Sequence, residues 1–595
     1  MLNKNEARIN AIIENAEIST NPVDILLSEV GADPGAPFKP ENLKLLKSLK
    51  AENLAIYENV RAKLKDEGVR VSELDKALAE DKVGALKPTQ AQKLIALTEG
   101  MTLFHDPDNT GYAEIQIDGH TEIWPIRSSK FKEFLAKKYY ELCQGAPSSE
   151  ASNSAINVIH ANAVFGGEKK DVYLRVANFE EKIFFDLCNA EWQAVEISRD
   201  GWRIMEVAPV KFRRSKGMAP LSLPQSGGDI NLLRKFLNVG CEEHFILVVA
   251  WLLAGIRGQG SLPILAINGE QGSAKSTCAR ILRTLLDPST VPLRTLSSDE
   301  QSLVIAANNS YIQAYDNISS LPPWLSDALC KLATGGGLTK RKLFEDTDEI
   351  LLDVKRPVLL NGIESFVSRP DLADRTLAIS LLPIPDEHRR TEEELWCSFD
   401  AVAPQILGAL LDAAVQGLRR LKEIKMESLP RLADFARWVT ACEEKFWPPG
   451  TFIRAFNANK NEMVEKVLSE DGVALEIIKL LEGKSEWVGT ATQLLQEITQ
   501  SNAKNSLFPK NPRAMSGVLE RLAPFLRRYN IEIDRYKEGK AKTRLIRILR
   551  KPDYTTITAS APSAHDQFSE KTVDPDGADD ENSHFLSNST WEKEI

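Results

Sequence analysis

The feature that most constrains the fold of this chain is a glycine-containing turn between an apolar run and an amphipathic segment. The turn covers residues 269–277 and reads GEQGSAKST, with the apolar run 263–267 before it and leucines at helical spacing after it. A strand, a flexible loop, Lys-Ser and a helix are what triphosphate binding requires, because backbone N–H groups and the positive end of a helix dipole then surround the phosphates. An ordinary strand-to-helix turn is the alternative, which the matching strand and helix disfavour. The sequence therefore predicts a nucleotide-binding loop.

Each position of this loop has an expected role with ATP. Lys275 is expected to neutralise the β/γ-phosphate charge, and the Ser276 hydroxyl to reach Mg²⁺. Ala274 stands where such loops usually carry their last glycine, so its Cβ should crowd the phosphate, strain the loop and reduce affinity. The residues predicted to contact ATP are Gly269, Gln271, Gly272, Ser273, Ala274, Lys275, Ser276 and Thr277.

Two later strand-like runs end in polar residues suited to the same site. Residues 311–317 form a mostly apolar run that ends in Asp316 and Asn317, and residues 358–360 run into Asn361. A carboxylate at the end of such a strand can hold Mg²⁺ beside the phosphate loop, so Asp316 is the second predicted metal ligand. Asn361 is expected to sense the γ-phosphate and the attacking water.

A second acid often stands where this chain has Asn317. An amide cannot act as a general base, although it can position water by hydrogen bonding. Asp299 or Glu300 would be the substitutes, and their location cannot be read from the sequence.

Basic residues supply the remaining predicted contacts. Arg375 precedes another strand-like run and is expected to reach the γ-phosphate of a neighbouring subunit as a trans finger, with Arg369 as second candidate. The alternative for Arg375 is a local ion pair with Asp371 or Asp374. Three consecutive basic residues after a glycine run, Lys340, Arg341 and Lys342, are predicted to contact DNA phosphates, a solvated basic loop being the alternative.

Composition describes a water-soluble chain of several domains. Charged residues make up 27% and hydrophobic residues 43% of the 595 positions. No apolar run approaches the ~18–20 residues that a membrane-spanning helix needs. The seven cysteines are scattered without a Cys-x-x-Cys pair. These features predict neither a disulfide framework nor a zinc ribbon, and favour a reducing cytoplasm, that of a bacterial host cell.

The fold expected is multidomain α/β, with a P-loop ATPase core preceded by helical and α+β regions and followed by a winged helix and a disordered acidic tail. Segments 112–117 and 120–126 flank Asp118-Gly119, which predicts a hairpin. Asp106-Pro-Asp108 before it is interpreted as a turn rather than a metal-binding carboxylate pair. The predicted divisions are 1–85 (helical), 86–230 (α+β), 231–425 (ATPase), 426–470 (helical), 471–551 (basic winged helix, with the recognition helix at 511–526) and 552–595 (tail).

Charge is distributed unevenly at the end of the chain. Residues 510–551 contain thirteen Lys/Arg against four Asp/Glu, whereas residues 552–595 contain ten Asp/Glu against two Lys. This asymmetry favours a nucleic-acid-facing module followed by a solvated acidic segment. Two differently charged surfaces without a shared purpose are the alternative.

The order of these motifs resembles superfamily 3 helicases, a branch of the AAA+ ATPases, and more closely the primase-associated helicases of phages and mobile elements. The resemblance rests on residues 269–277, 311–317, 332–344, 358–361 and 374–381. It implies a hexameric ring that hydrolyses ATP with Mg²⁺ between subunits and moves single-stranded or forked DNA. It assigns Lys275 and Ser276 to Mg-ATP, Asp316 to Mg²⁺, Asn361 to the sensor and Arg375 to the finger. No primase motif precedes the core, so a primase would be a separate chain.

Three departures from the family pattern keep other functions open. Ala274, Asn317 and the acidic segment 345–349 are atypical of a fast motor. A nucleotide-dependent switch with slow turnover (an initiator, loader or regulator) is therefore the alternative function. A sequence-specific transcription regulator, based on residues 471–551 alone, is the third.

Overall fold

The structure is a computed structural model that describes residues 21–79, 88–341, 349–352, 355–363, 366–367, 369–500, 508–539 and 542–551. The chain divides into two compact units after Lys460. Both contain helices and sheets, which confirms a multidomain α/β protein. The predicted boundaries at 85, 230 and 425 all fall within the first unit. The predicted acidic tail, 552–595, lies outside the described residues.

The first unit begins with a small helical bundle, in agreement with the predicted helical segment. Its apolar positions between 41 and 64 are divided between two helices, because Asn53 ends one and caps the next, accepting a hydrogen bond from the Ile56 backbone N–H (3.2 Å). Leu26, Leu46 and Tyr57 lie in its core. The helices are α1 (Pro22–Val30), α2 (Pro40–Glu52), α3 (Leu54–Asp66) and α4 (Val71–Ala79), with a 3-10 turn at Ala36–Phe38.

A four-stranded sheet packed on two helices follows. Ile117 pairs with His120 across the two-residue turn Asp118-Gly119, both at positive φ, which confirms the predicted hairpin. Asp106 accepts hydrogen bonds from the backbone N–H groups of Asp108 (3.0 Å) and Thr110 (2.8 Å), as its interpretation as a turn residue requires. The elements are α5 (Gln90–Ala96), β1 (Leu103–His105), β2 (Gly111–Ile117), β3 (His120–Pro125), α6 (Ser129–Cys143), α7 (Ser149–Gly166) and β4 (Glu168–Lys169), with strand order β3-β2-β1-β4.

An antiparallel meander then packs directly on the central α/β region. Val176, Phe185 and Val195 of the meander share one hydrophobic core with Phe245 and Leu407, which lie beyond the predicted boundary at 230. The meander consists of β6 (Val176–Phe179), β7 (Lys182–Asp186), β8 (Ala194–Ile197) and β9 (Trp202–Met205) in that order. The flanking strands β5 (Val172–Tyr173) and β10 (Lys211–Phe212) pair in parallel as a separate two-stranded sheet. A 3-10 segment at Ile230–Phe236 leads into the next helix.

The centre of the first unit is a four-stranded, fully parallel sheet with the order β12-β15-β11-β16. Its strands are β11 (Ile264–Gly269), β12 (Gln313–Ile318), β15 (Val358–Gly362) and β16 (Thr376–Leu381), while β13 (Leu338–Arg341) and β14 (Glu349–Leu352) form a separate hairpin. The helices are α8 (Glu242–Arg257), α9 (Lys275–Leu286), α10 (Glu300–Asn309), α11 (Pro323–Thr334), α12 (Pro370–Ala373), α13 (Glu392–Arg420), α14 (Ala433–Cys442) and α15 (Thr451–Glu470), with 3-10 turns at Asp386–His388 and Glu443–Lys445.

One described helix, α13, is long and apolar enough to cross a membrane. Within its apolar window 61% of the residues are buried in the protein. Its apolar character is therefore that of a core helix, which packs against α8 and α14.

The backbone groups of β16 that face away from β11 are hydrogen-bonded by three side chains and by the backbone of Gly240. The Asn459 amide bonds both the N–H (3.1 Å) and the C=O (2.6 Å) of Ala378. Lys460 donates to the Thr376 carbonyl at 3.0 Å. The ring of His244 accepts from the N–H of Ser380, whose carbonyl accepts from the N–H of Gly240. Every outward-facing position of this strand is thus hydrogen-bonded without a further strand.

The second unit has helices alternating with a three-stranded antiparallel sheet of order β17-β19-β18. Its strand β17 is only four residues long. The elements are α16 (Gly472–Leu480), β17 (Glu486–Gly489), α17 (Ala491–Gln500), α18 (Pro512–Arg528), β18 (Ile531–Glu538) and β19 (Thr543–Arg550). The predicted recognition helix corresponds to α18, which Asn511 caps by accepting from the Ala514 N–H (2.8 Å).

A fully buried arginine ties the meander to the end of α9. Arg175 donates to Asp287 Oδ1 (3.1 Å) and to the carbonyls of Asp186 (3.1 Å) and Ala219 (3.2 Å). Breaking a buried ion pair leaves an uncompensated charge, so we expect Arg175→Met to lower the free energy of unfolding by about 3–5 kcal/mol. Urea unfolding followed by tryptophan fluorescence measures this loss.

The control is Arg203→Met. Arg203 also pairs with a carboxylate, Glu196 (2.9 Å), but its side chain is 71% exposed. An exposed pair contributes about 1 kcal/mol or less, so this variant should unfold almost as the unaltered protein does. Equal losses for the two variants would contradict the buried role of Arg175.

Candidate nucleotide site

The predicted phosphate loop connects β11 to α9, as the sequence indicated. β11 ends at Gly269 and α9 begins at Lys275. A Cβ on Gly269 would lie 2.6 Å from Ser273 Oγ, so this position requires glycine. Gly272 (φ +83°) and Ala274 (φ +60°, ψ 34°) both have left-handed backbone conformations. Ala274 therefore adopts a conformation that costs about 1–2 kcal/mol for a residue with a Cβ.

Lys275 and Ser276 bond to different parts of the site. Lys275 bonds to the loop backbone, and Ser276 bonds to the Asp316 carboxylate. Lys275 Nζ donates across the loop to the carbonyls of Gly269 (2.9 Å) and Glu270 (2.7 Å). Burial lowers the pKa of Lys275, and the negative charge of Asp316 partly opposes that change. Ser276 Oγ donates to Asp316 Oδ1 at 3.0 Å. The fold thus brings together the two predicted magnesium ligands, one from the first turn of α9 and one from β12.

Asn317 and Asn361 meet beside this pair. The Asn317 backbone N–H donates to Asp316 Oδ1 (2.8 Å) and to Asn361 Oδ1 (3.0 Å). Asn317 has φ +57°, a left-handed conformation that asparagine tolerates better than most residues. Asn361 is buried, and within the described ranges its Nδ2 has no hydrogen-bond partner. A buried donor without a partner is costly.

The proposed substitutes for a second acid, Asp299 and Glu300, both lie at the start of α10. Asp299 caps α10, accepting from the Ser302 N–H (2.8 Å), and these hydrogen bonds lower its pKa. Glu300 is the first residue of the same helix. Over the residues that the structure describes, no group of three or more His, Cys, Asp or Glu could hold a metal ion. All seven cysteines are free, as predicted.

Arg375 lies at the opposite edge of the sheet from the loop. The Arg375 carbonyl accepts from the Ile264 N–H, at the amino ends of β16 and β11, whereas the loop follows the carboxyl end of β11. These edges are about 20 Å apart along a six-residue strand. Arg375 forms the ion pair with Asp371 (2.7 Å) that was its alternative role, and only 16% of its side chain is exposed. Arg369 pairs with Asp327 (2.7 Å).

Two of the three predicted DNA-contacting residues, Lys340 and Arg341, belong to strand β13. Lys340 and Arg341 pair in register with Ile350 and Glu349. Lys342 and the acidic positions 345–348 lie outside the described residues. Their role stays a prediction.

One basic residue beside the loop was not predicted. After β16 the chain returns to the loop, where the Ile384 N–H donates to the Gly272 carbonyl (3.5 Å). Arg389 Nη2 lies 3.5 Å from the place of a Cβ on Gly272. Arg389 is 60% exposed and is paired with the exposed Asp386 (3.0 Å). In the sequence, Arg389 is marked only by its place just before the helix-capping pair Thr391 and Glu394. Such a pair predicts the start of a helix and does not indicate a binding site.

Two family models match the chain. Residues 230–446 match the model described as the actinomycete integrative conjugative element replication protein. Residues 473–563 match the model of the C-terminal domain of the same RepA class. The search of curated proteins found no match. Neither model description names a helicase, so membership of superfamily 3 remains a prediction.

Solved structures match over most of the chain with low similarity. One apo form of the NrS-1 C-terminal region is 13% identical, with a TM-score of 0.36, and covers 78% of this chain and 100% of its own. A second, of NrS-1 residues 305–718, is 12% identical with a TM-score of 0.35, covering 77% and 98%. Over the two segments that match family models, this chain is similar to a replication protein of an integrative conjugative element, which is a mobile genetic element.

Proposed function

We propose that this protein is an ATP-dependent DNA translocase or helicase that acts in the replication of a mobile element. The observation that carries this proposal is the 3.0 Å hydrogen bond between Ser276 and Asp316, beside a loop that holds Lys275 at the amino end of α9. A hydroxyl and a carboxylate in contact next to such a loop are the protein ligands that Mg²⁺ has in phosphate-loop ATPases. The family matches support a role in replication.

The residues fit Mg-ATP in chemistry. Lys275 Nζ now bonds two loop carbonyls and would exchange them for phosphate oxygens. Ser276 and Asp316 would hold the metal ion, which would supply positive charge to neutralise the phosphates. The Asn361 amide offers Nδ2, which has no partner in the described chain, to the γ-phosphate or to the attacking water. Asn317 cannot remove a proton from that water, so these residues support orientation of the water rather than general-base catalysis.

Hydrolysis between subunits is the arrangement that suits Arg375. Because it lies at the far edge of the sheet, Arg375 cannot reach the nucleotide of its own loop. It would serve the loop of a neighbouring copy, as in a hexameric ring, after exchanging its bond to Asp371 for a phosphate. Single-stranded or forked DNA would be the substrate, with a primase supplied by another chain.

A slowly hydrolysing switch is the second candidate function. Two residues favour the switch. Ala274 has a left-handed conformation that strains the loop, and Asn317 has an amide where a general base would otherwise stand. The steady-state ATPase rate separates the two functions. Strong stimulation by single-stranded DNA supports the motor, and tight binding with negligible turnover supports the switch.

Lys275→Ala should abolish the motor. Removing one preorganised charge at the phosphates typically costs about 10²–10³-fold in rate, so ATP hydrolysis and unwinding of a forked duplex should fall at least 100-fold. The control is Lys137→Ala on α6, which removes a lysine that is 75% exposed. Unwinding that survives in the Lys275→Ala variant would exclude this mechanism.

Ala274→Gly should improve nucleotide binding. It removes the Cβ that would crowd the phosphates, so the Kd for Mg-ATP in equilibrium titration should fall several-fold, up to about tenfold. Ala401→Gly, in the exposed part of α13, makes the same exchange away from the loop and should leave Kd unchanged. Weaker binding by the Ala274→Gly variant would refute the crowding argument.

Arg389→Ala should weaken Mg-ATP binding at least tenfold, because a hydrogen bond to a charged group contributes about 1.5–3 kcal/mol. Isothermal titration of each variant against Mg-ATP tests this. Arg390→Ala is the matched control, since it removes the adjacent exposed arginine. Equal affinities for the two variants would show that Arg389 does not touch the nucleotide.

A further inference from the structure

A cavity of about 250 Å³ lies at the end of α13, and the β6–β7 hairpin, the end of α8 and the turn after β8 complete its wall. The start of α13 is beside the candidate nucleotide site, since Glu392 pairs with Arg280 of α9. A helix of 29 residues is about 40 Å long, so the cavity and the phosphate loop are separate sites. The apolar part of the cavity lining is formed by Phe179, Ile183, Leu418 and Leu421.

Positive side chains are in excess around this cavity. Lys182 is paired with Glu196 (2.9 Å), which neutralises it. Arg257 donates to the carbonyl of Asp434 (3.0 Å) rather than to a carboxylate, and burial lowers the pKa of its guanidinium. A desolvated cation is costly unless an anion compensates it, so an anion that entered the cavity would be stabilised there. The cationic residues of the lining are Lys182, Arg199, Arg257 and Lys422.

Two of these cations already bind a carboxylate of the protein itself. One oxygen of Glu181 accepts from Lys422 (2.7 Å), and the other lies 3.3 Å from Arg199. The hydrogen bond and charge of Lys422, with the charge of Arg199, lower the pKa of Glu181. Arg419 of α13 holds the turn that carries Arg199, because it donates to the carbonyls of Arg199 and Asp200. Arg199 and Lys422 therefore form a built receptor for one carboxylate.

The glutamate in this receptor is held in an unfavourable conformation. Glu180 (φ +49°) and Glu181 (φ +60°) form the two-residue turn between Phe179 and Lys182. Such turns favour Asn-Gly, because a Cβ disfavours the left-handed region. The nearby carboxyl ends of α8 and α13 disfavour a carboxylate as well. Glu181 is also 64% exposed, and exposed ion pairs are weak, so a competing anion can displace it.

The size and charge of the cavity limit the class of ligand. With about 30 Å³ for each water-sized atom, a volume of about 250 Å³ holds about eight non-hydrogen atoms. Cations stand at two places in the lining, Arg257 at one and the pair Arg199 and Lys422 at the other, which favours a ligand with two negative charges. Succinate and propyl phosphate both have this size and this charge.

We infer that this cavity binds a small organic dianion, whose body lies on the apolar lining and whose charged groups bond to Arg257 and, in place of Glu181, to Arg199 and Lys422. The site goes beyond the proposed function, because it requires neither ATP nor the phosphate loop.

The first test is Glu181→Gln in the full chain. Removing the competing carboxylate should lower the Kd for succinate and for propyl phosphate about three- to tenfold, as measured by isothermal titration calorimetry at pH 8. The control is Glu191→Gln, which makes the same exchange at an exposed glutamate outside the cavity. Weaker binding by the Glu181→Gln variant would contradict competition by Glu181.

The second test reverses one charge of the receptor. Lys422 is 67% exposed, so Lys422→Glu should fold normally, yet it should raise the Kd for both dianions at least tenfold. Lys425→Glu is the matched control, because it makes the same change at an exposed lysine outside the lining. The uncharged analogue succinamide should not bind. Lys275→Ala should leave the Kd unchanged, which separates this cavity from the phosphate loop.

Four results would overturn the inference. They are equal Kd values for the two lysine variants, succinamide binding as tight as that of succinate, loss of binding in the Lys275→Ala variant, and no binding of either dianion at millimolar concentration. Tighter binding of succinate would support the inference and identify a dicarboxylate as the ligand. Tighter binding of propyl phosphate would support it equally and identify a phosphate monoester.

Discussion

The parallel pairing of β11 with β15, and of β15 with β12, is the constraint on which the candidate site depends. Parallel strands end at the same edge of a sheet, so the residues that follow them meet there. Gly269, Asp316 and Asn361 are far apart in sequence, yet each stands at the carboxyl end of one of these strands. The contact between Ser276 and Asp316 is a consequence of this register. A sheet of mixed direction built from the same segments would separate the carboxylate from the loop.

The residues at this edge of the sheet could be predicted from the sequence, because each strand is a short apolar run that ends in a polar residue. The loop, Asp316 and Asn361 could be predicted from that pattern alone, although the strand order could not. The bond between Asp371 and Arg375 was foreseeable, since four residues separate them on adjoining elements. Arg431, which also pairs with Asp371 (2.8 Å), was not, because its approach depends on how distant helices pack. Arg389 escaped prediction for the same reason.

Domain boundaries were harder to predict from the sequence than the site residues. The predicted division at 230 separates strands from helices that share one hydrophobic core. The local amino-acid composition of two segments does not show that their surfaces are complementary. Gly228 illustrates the point: a Cβ there would lie 1.8 Å from the Gln405 carbonyl oxygen, so the chain beside the predicted boundary is closely packed against α13. The short strand β17 was missed because four residues are too few for a periodic pattern to be distinguished from a turn.

The closed outer edge of β16 has a consequence for assembly. Because Asn459, Lys460 and His244 already bond to its outward hydrogen-bonding groups, this sheet cannot be lengthened at the β16 edge by a strand from another molecule. Copies of this protein that associate through the first unit must therefore meet by side-chain surfaces on this side. Such surfaces can slide and re-pair, whereas a continuous sheet would lock neighbours in one fixed geometry.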